Sequence, residues 1–324
     1  MASVNGILIG VDLGGTNVRA GAVSSDGQLL HWQETSIEAS LGPESGLRKI
    51  AQLVAQVLAQ TGQPILALGV GSTGPLDRER GCIQNPYTLP GWEDVNIVSR
   101  LQEKFGAPVA LENDADAAAL GESWVGAGRG VPRMSMVTIG TGVGTALILD
   151  GEIYRGLGGE HPEGGHIILD PSGPECYCGA RGCWESLVAG PAIAQFARGA
   201  DGLQSSALYD DCRGDLERID AANVFRVART GDAFCLRVVE RTAEYMGLGL
   251  VSLMMLTLPD CIVLTGGVLR SYDLLEARIR AVVARHDVII PAARVKIQLA
   301  ILGQQAGMFG AARAAWLLYS KAKA

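Results

Sequence analysis

The sequence is poor in aromatic residues (5%) and in charge (19%). Neither sign dominates: 27 Lys and Arg stand against 34 Asp and Glu, a formal net charge of −7. That balance offers no broad basic field, so nucleic acid is not an expected partner. Long hydrophobic runs are missing as well. The longest uncharged apolar stretch is Tyr245 to Leu258, too short to span a bilayer, and it reads as a buried helix. No basic segment precedes the apolar residues behind Met1, so no secretory leader and no membrane partner are expected. Paired cysteines are also absent. There are seven, an odd number; Cys176, Cys178 and Cys183 cluster, while Cys82, Cys212, Cys235 and Cys261 are scattered. This excludes a disulfide framework and points to a reducing cytoplasm with one metal site. The glycine loops lack the Lys and the directly following helix of a Walker A loop. No GxGxxG opens a helix after a strand, which speaks against a dinucleotide site.

What is present is apolar mass and glycine. Hydrophobic residues make 48% of 324 positions, enough to core two lobes. The 43 glycines are nearly twice the usual share of about 7%, with no repeat or low-complexity tract to absorb them. They must sit in turns and where backbones approach closely.

A local grammar occurs twice. Residues 6–11 are apolar and end at Asp12; Leu-Gly-Gly-Thr-Asn follows, then Val18 to Val23, then Asp26-Gly27. Met134 to Ile139 leads likewise into Gly140-Thr-Gly-Val-Gly144, Thr145 to Leu149 and Asp150-Gly151. A second pair of strands ends in small polar residues, Ile65 to Val70 before Gly71-Ser-Thr-Gly74 and Cys261 to Leu264 before Thr265-Gly-Gly267. The order predicts a duplicated α/β unit, two similar lobes facing each other. Helical periodicity falls between the strands, at Glu44–Thr61, Ala115–Trp124, Pro191–Gly199, Ala221–Thr230, Phe234–Leu258 and Tyr272–Ala284. The apolar C-terminal helix, Gly307 to Leu318, has the character to pack across the lobe interface.

The chemistry sits on these loops. In Asp12-Leu-Gly14-Gly15-Thr16-Asn17-Val-Arg19, two glycines let backbone N–H groups converge without Cβ obstruction. Thr16 and Asn17 add donors, Arg19 adds charge, and Asp12 can face a hydrated Mg²⁺. Gly140-Thr141-Gly142 supplies a second such nest. Two loops of this kind suit a polyphosphate, and phosphoryl transfer then needs a metal, a positioned acceptor and a base. Asn113-Asp114 stands where a strand meets a helix. Asn113 can bond a hydroxyl; Asp114, held ionised near a helix N-terminus, can take a proton from the attacking hydroxyl. The plainer role for this pair is helix capping. His166, Cys176, Cys178 and Cys183 complete a Cys₃His set for structural Zn²⁺, closed and therefore not catalytic. His31 and His286 read as surface residues, the tryptophans as packing, and Asp210–Asp220 as a solvated face.

At these residues the chain resembles the ROK family of sugar kinases and repressors. The motifs are DLGGTNVR (12–19), STGP (72–75), LPGW (89–92), ENDADAAALGE (112–122), TIGTGVG (138–144), EGGH (163–166), CYCGARGCWE (176–185) and TGG (265–267). The resemblance implies an actin-like (ribonuclease H-like) α/β fold with a central cleft that closes on sugar. Residues 1–120 would form a small N-terminal lobe joined by the C-terminal helix 307–324; 121–306 would form a larger lobe carrying the zinc loop. It implies ATP-dependent phosphorylation of a hexose at O6, glucose first. Asp114 would be the base; Gly74, Thr88, Asn113, Asp114, Glu163, His166 and Glu185 would meet sugar. Asp12, Gly14, Gly15, Thr16, Asn17, Arg19, Gly140, Thr141, Gly142, Gly266 and Gly267 would meet ATP and Mg²⁺. A homodimer or dimer of dimers is implied too. His161-Pro162 before Glu163 is similar to the fructokinase branch, whereas CxCGxxGC is similar to glucokinases and N-acetylhexosamine kinases, so fructose, mannose and N-acetylhexosamines stay open. Gly164 replaces a bulky apolar residue of the family pattern, which predicts a looser loop. Repressors of the family carry a DNA-binding module before the first strand, and only eleven residues precede Asp12.

Overall fold

The computed structural model describes residues 5–323. Two compact units share one sheet plan. The first takes the chain up to Pro132, Ile148–Ile153 and the segment from Ala300 onward. Its strands are β1 (Ile7–Leu13), β2 (Asn17–Val23), β3 (Leu29–Ser36), β4 (Ile65–Ser72) and, past three short strands, β5 (Leu76–Asp77), β6 (Cys82–Ile83) and β7 (Val95–Asn96), β8 (Val109–Asn113). The main sheet runs β3-β2-β1-β4-β8, antiparallel across β3, β2 and β1 and parallel from β1 through β4 to β8.

Why β1 is apolar at nearly every position follows from its two covered faces. Strand residues alternate sides. Ile7, Ile9, Val11 and Leu13 share a core with Leu47, Ile50 and Val54 of α1 (Pro43–Thr61) and with Ile97 and Leu101 of α2 (Ile97–Phe105). Leu8 faces the other way, with Ala67, against Phe309, Ala312 and Ala315 of α10 (Ala306–Lys321). The approach is close enough to require glycine: a Cβ on Gly10 would lie 1.9 Å from the Met308 carbonyl oxygen, and one on Gly69 1.8 Å from that of Ala311. The C-terminal helix packs within the first unit, on β1, β4 and α3 (Asp114–Trp124).

The second unit is Arg133–Leu147 and Tyr154–Leu299. Its sheet has β9 (Arg133–Ile139), β10 (Val143–Leu149), β11 (Glu152–Ile153), β12 (Cys261–Thr265) and β13 (Lys296–Leu299) in the order β11-β10-β9-β12-β13. β10 and β11 are antiparallel; β9, β12 and β13 are parallel. Both sheets thus repeat the plan of an antiparallel ribbon followed by parallel strands, the duplicated α/β unit that the loop grammar predicts. The helices are α4 (Trp184–Val188), α5 (Gly190–Gly199), α6 (Ala207–Asp211), α7 (Ala221–Ala228), α8 (Ala233–Thr257) and α9 (Tyr272–Ala284). Val137, Ile139, Ile262 and Leu264 join Met246, Leu250 and Met254 of α8 in its core. The units divide after Pro132; a border at 120/121 would cut α3. Among the described residues no helix is long and apolar enough to cross a membrane.

Candidate active site

In the first unit, Asp12 ends β1 and pairs across the sheet with Arg19 and Gly71. Arg19 Nη1 donates to Asp12 Oδ2 at 3.1 Å, and its Nε donates to Glu34 Oε2 at 2.9 Å. Asn17 Nδ2 also donates to Glu34, at 2.8 Å. Asn17 and Arg19 thus share Glu34 as a partner, and Arg19 also holds Asp12. Glu34, their common partner, was invisible as a site residue because it stands alone on β3. Burial pushes the Asp12 carboxyl above its ordinary value, although the Arg19 bond pulls it down. Gly14, Gly15 and Thr16 form the turn, closed by Gly14 N–H on the Asn17 carbonyl at 3.0 Å.

Asn113 and Asp114 stand at the junction of β8 and α3. The capping role is real: Asn113 Oδ1 accepts the Ala115 N–H at 2.9 Å. That leaves the Asn113 amide Nδ2, which lies 2.8 Å from where a Gly74 Cβ would stand. Asp114 Oδ1 accepts from the same Ala115 N–H at 2.8 Å. Burial raises its carboxyl above the ordinary value, the Asp12 charge adds to the rise, and the Ala115 N–H and Thr73 hydroxyl only offset part of it. A carboxylate disfavoured in its charged form is a stronger proton acceptor than a surface one. Thr88 lies beside Gly15, whose Cβ would sit 2.9 Å from the Thr88 carbonyl oxygen. The segment is shaped by Asn85, which sequence reading missed. Its Oδ1 accepts from Tyr87 and Thr88 N–H at 2.9 and 3.0 Å, and its Nδ2 donates to the Gly74 carbonyl at 2.7 Å. Asp12, Gly74, Asn113 and Asp114 thus gather at the ends of β1, β4 and β8.

In the second unit, the loop between β9 and β10 carries Gly140, Thr141 and Gly142. Gly140 and Thr141 line a cavity of about 900 Å³, with Gly267 beside them. Gly266 precedes it at φ 106°; a side chain there would strike the Ile139 carbonyl oxygen at 2.3 Å. The cavity wall also contains Arg198, Phe225, Arg229 and Arg270, none of which carries a sequence signal. Glu217 and Asp220 line it too, so the stretch read as a mere solvated face is partly a wall. Backbone N–H groups, one aromatic ring and three guanidinium groups around a space of that size fit a nucleotide with its phosphates.

Gly142 faces Glu185 instead of the cavity: a Cβ would lie 2.5 Å from Glu185 Oε2, the atom that accepts the Val143 N–H at 2.7 Å. Glu185 opens α4, next to Trp184, which is fully buried, as is Trp92. Glu163 is exposed, with its carboxylate 3.3 Å from His161 Nε2. Gly164 does not loosen this loop. Its N–H donates to Thr145 Oγ1 at 2.9 Å, Thr145 in turn donates to the Pro162 carbonyl at 2.9 Å, and a Cβ would meet Thr145 Oγ1 at 2.7 Å.

His166, Cys176, Cys178 and Cys183 converge, with all four ligand atoms within 4.8 Å of one another. His166 Nδ1 is 3.5 Å from Cys176 Sγ, and Cys178 Sγ is 3.5 Å from Cys183 Sγ. Tetrahedral zinc with the usual N and S bond lengths sets its ligand atoms roughly 3.4–3.8 Å apart, so the residues fit Zn²⁺ with little adjustment. His166 Nε2 points away from the thiols, to the Tyr177 hydroxyl at 3.1 Å. The other four cysteines are buried singly. The site residues thus form two groups, one in each unit.

A twice-repeated sheet of this order with glycine loops at the strand ends defines the actin-like class of α/β proteins. Within it, residues 8–317 match the model of the ROK family, and the chain belongs to that family. The glucokinase of Thermotoga maritima is 34% identical over 307 residues, 94% of this chain and 96% of its own. The crystal structure of a ROK hexokinase from Thermus thermophilus superposes with a TM-score of 0.81 at 33% identity, covering 97% of this chain and 99% of that one. A ROK glucokinase from Streptomyces griseus, solved with glucose and AMPPNP, gives a TM-score of 0.69 at 31% identity over 96% and 99% of the two chains. Xylose repressors are among the relatives as well.

Proposed function

We propose that this chain is an ATP-dependent hexose kinase that phosphorylates the 6-hydroxyl of glucose. The observation that carries it is Asp114: a half-buried carboxyl, raised in proton affinity, next to the amide of Asn113 and near Asp12. Glucokinases similar along nearly the whole chain support the substrate.

The chemistry follows from the groups. Asn113 Nδ2 donates to a sugar oxygen and fixes the hydroxyl beside Asp114. Asp114 accepts the hydroxyl proton as the sugar oxygen bonds to the γ-phosphorus; the bond from that phosphorus to the bridging oxygen breaks, and ADP leaves with the electron pair. Thr141 and Gly267 hold the nucleotide by backbone N–H groups at the 900 Å³ cavity, in a loop closed by the Gly140 N–H on the Gly142 carbonyl. Mg²⁺, when bound, offsets charge on the β- and γ-phosphates, and Asp12, fixed by Arg19, is the carboxylate for it. Zn²⁺ would be held by His166, Cys176, Cys178 and Cys183, leaving Glu163, His166 Nε2 and Glu185 for sugar hydroxyls. A kinase for fructose, mannose or an N-acetylhexosamine is the alternative, because the groups named here serve the transfer step and do not distinguish the stereochemistry of the sugar.

Product analysis tests the proposal. Protein incubated with glucose and Mg-ATP should yield ADP and a phosphate ester whose ³¹P resonance couples to the C6 protons. An ester at another carbon would overturn the regiochemistry. Sugar binding without any ester would favour the regulatory reading that the repressor relatives represent.

A further inference from the structure

Tyr177 lies inside the metal loop, between two of its thiol ligands, and is 83% exposed. Its hydroxyl nevertheless makes a specific contact, 3.1 Å from His166 Nε2, with the two rings edge to face at 5.2 Å. With Nδ1 turned to the thiols, Nε2 is the nitrogen that bears hydrogen. The Tyr177 oxygen is placed to accept it at 3.1 Å, and a sugar hydroxyl at His166 would need the same bond.

We propose that Tyr177 is an affinity-determining residue that competes with the sugar: its hydroxyl takes the bond at His166 Nε2 that a sugar hydroxyl needs, and sugar binds only when the phenol swings out. This rests on the kinase reading above. The exposed ring can leave without opening the core, in contrast to the fully buried Trp184 beneath the same loop. A competing conformer lowers apparent affinity by the fraction of time the site is covered. One hydrogen bond of ordinary net strength makes that fraction worth about two- to twelvefold.

The test uses zinc-loaded wild type, Tyr177→Phe and Tyr177→Ala. The first readout is the glucose dissociation constant by calorimetry. The second, independent of sugar, is solvent exchange of the His166 Nε2–H in protein labelled with ¹⁵N-histidine. The competition predicts about two- to twelvefold tighter glucose binding in both variants, with kcat and zinc content unchanged, and faster Nε2–H exchange. Equal affinities in all three proteins would overturn it, as would weaker binding in Tyr177→Phe, which would make the phenol a sugar ligand. If no hexose binds to any of the three, the kinase reading itself falls and the proposal falls with it.

Discussion

Asp114→Asn separates catalysis from folding at one atom. Asparagine keeps the shape and the oxygen that accepts the Ala115 N–H at 2.8 Å, and Asn113 Oδ1 holds the same N–H at 2.9 Å, so the start of α3 stays capped. What is lost is the proton acceptor. General base catalysis contributes about 10²–10⁴ in rate, so kcat should fall by that factor, roughly 3–5 kcal/mol of barrier. Stability should move the other way. Burial and the Asp12 charge raise the folded-state value of Asp114 above its ordinary 3.8. The native state then holds this proton more tightly than the unfolded chain, so its contribution to stability falls as pH rises through that window. The variant, with no charge to bury, should be at least as stable as wild type at neutral pH. The advantage should vanish below the ordinary carboxylate range. In wild type, kcat should fall with acid at a pH above 3.8, and the variant's residual rate should lack that limb. Steady-state rates against pH, with urea unfolding of both proteins at neutral pH and again at a pH below 3.8, measure all of this. A variant that retains wild-type turnover, or that unfolds several kcal/mol more easily at neutral pH, would refute the reasoning.

Other consequences concern the supports of the site. Glu122 is fully buried; its Oε1 accepts from Ile301 and Leu302 N–H at 3.0 and 2.8 Å, and its Oε2 from Ala127 N–H at 2.8 Å. Glu122→Ala orphans three donors at about 1–3 kcal/mol each, so the urea midpoint should drop sharply, and an unchanged midpoint would count against this. Elemental analysis should find one zinc per chain, absent in Cys183→Ser; chelation should raise the sugar KM more than it lowers kcat, and equal behaviour of the stripped protein would deny the loop its ordering role. Gly142→Ala drives a methyl against Glu185 and off its bond to Val143. A charged hydrogen bond is worth about 1.5–3 kcal/mol, so the sugar KM should rise tenfold or more while the melting temperature moves by a few degrees; an unmoved KM would show Glu185 to be uninvolved.

Much of the fold can be read from the residues because its signals are local. The strand–glycine loop–strand order recurs at Asp12 and Gly140, and the sheet orders repeat with it. The thiol cluster is equally local, with four ligands in a short span. What stays hidden depends on distant partners. The pairing of Arg19 with Glu34 appears only when β3 brings the two together. The cavity walls at Arg198, Phe225 and Arg270 come from elements with no shared motif. The proton affinity of Asp114 depends on burial and on the distant Asp12, which raise it above the ordinary carboxylate value. Gly164 looks like a loosened position until Thr145 is seen against it. The packing of the C-terminal helix in the first unit was written in Gly10 and Gly69, but only as part of an unexplained glycine excess.

The central claim is that the Asp114 group delivers a phosphoryl acceptor and that the acceptor is glucose. Its most direct test is ADP release from Mg-ATP, by coupled assay, against glucose, mannose, fructose, allose, N-acetylglucosamine and N-acetylmannosamine. The account predicts fast turnover with glucose and little with the N-acetylated sugars. Turnover confined to fructose or an N-acetylhexosamine would contradict the assigned substrate, and no turnover with any sugar, in protein shown to hold zinc, would contradict the kinase itself.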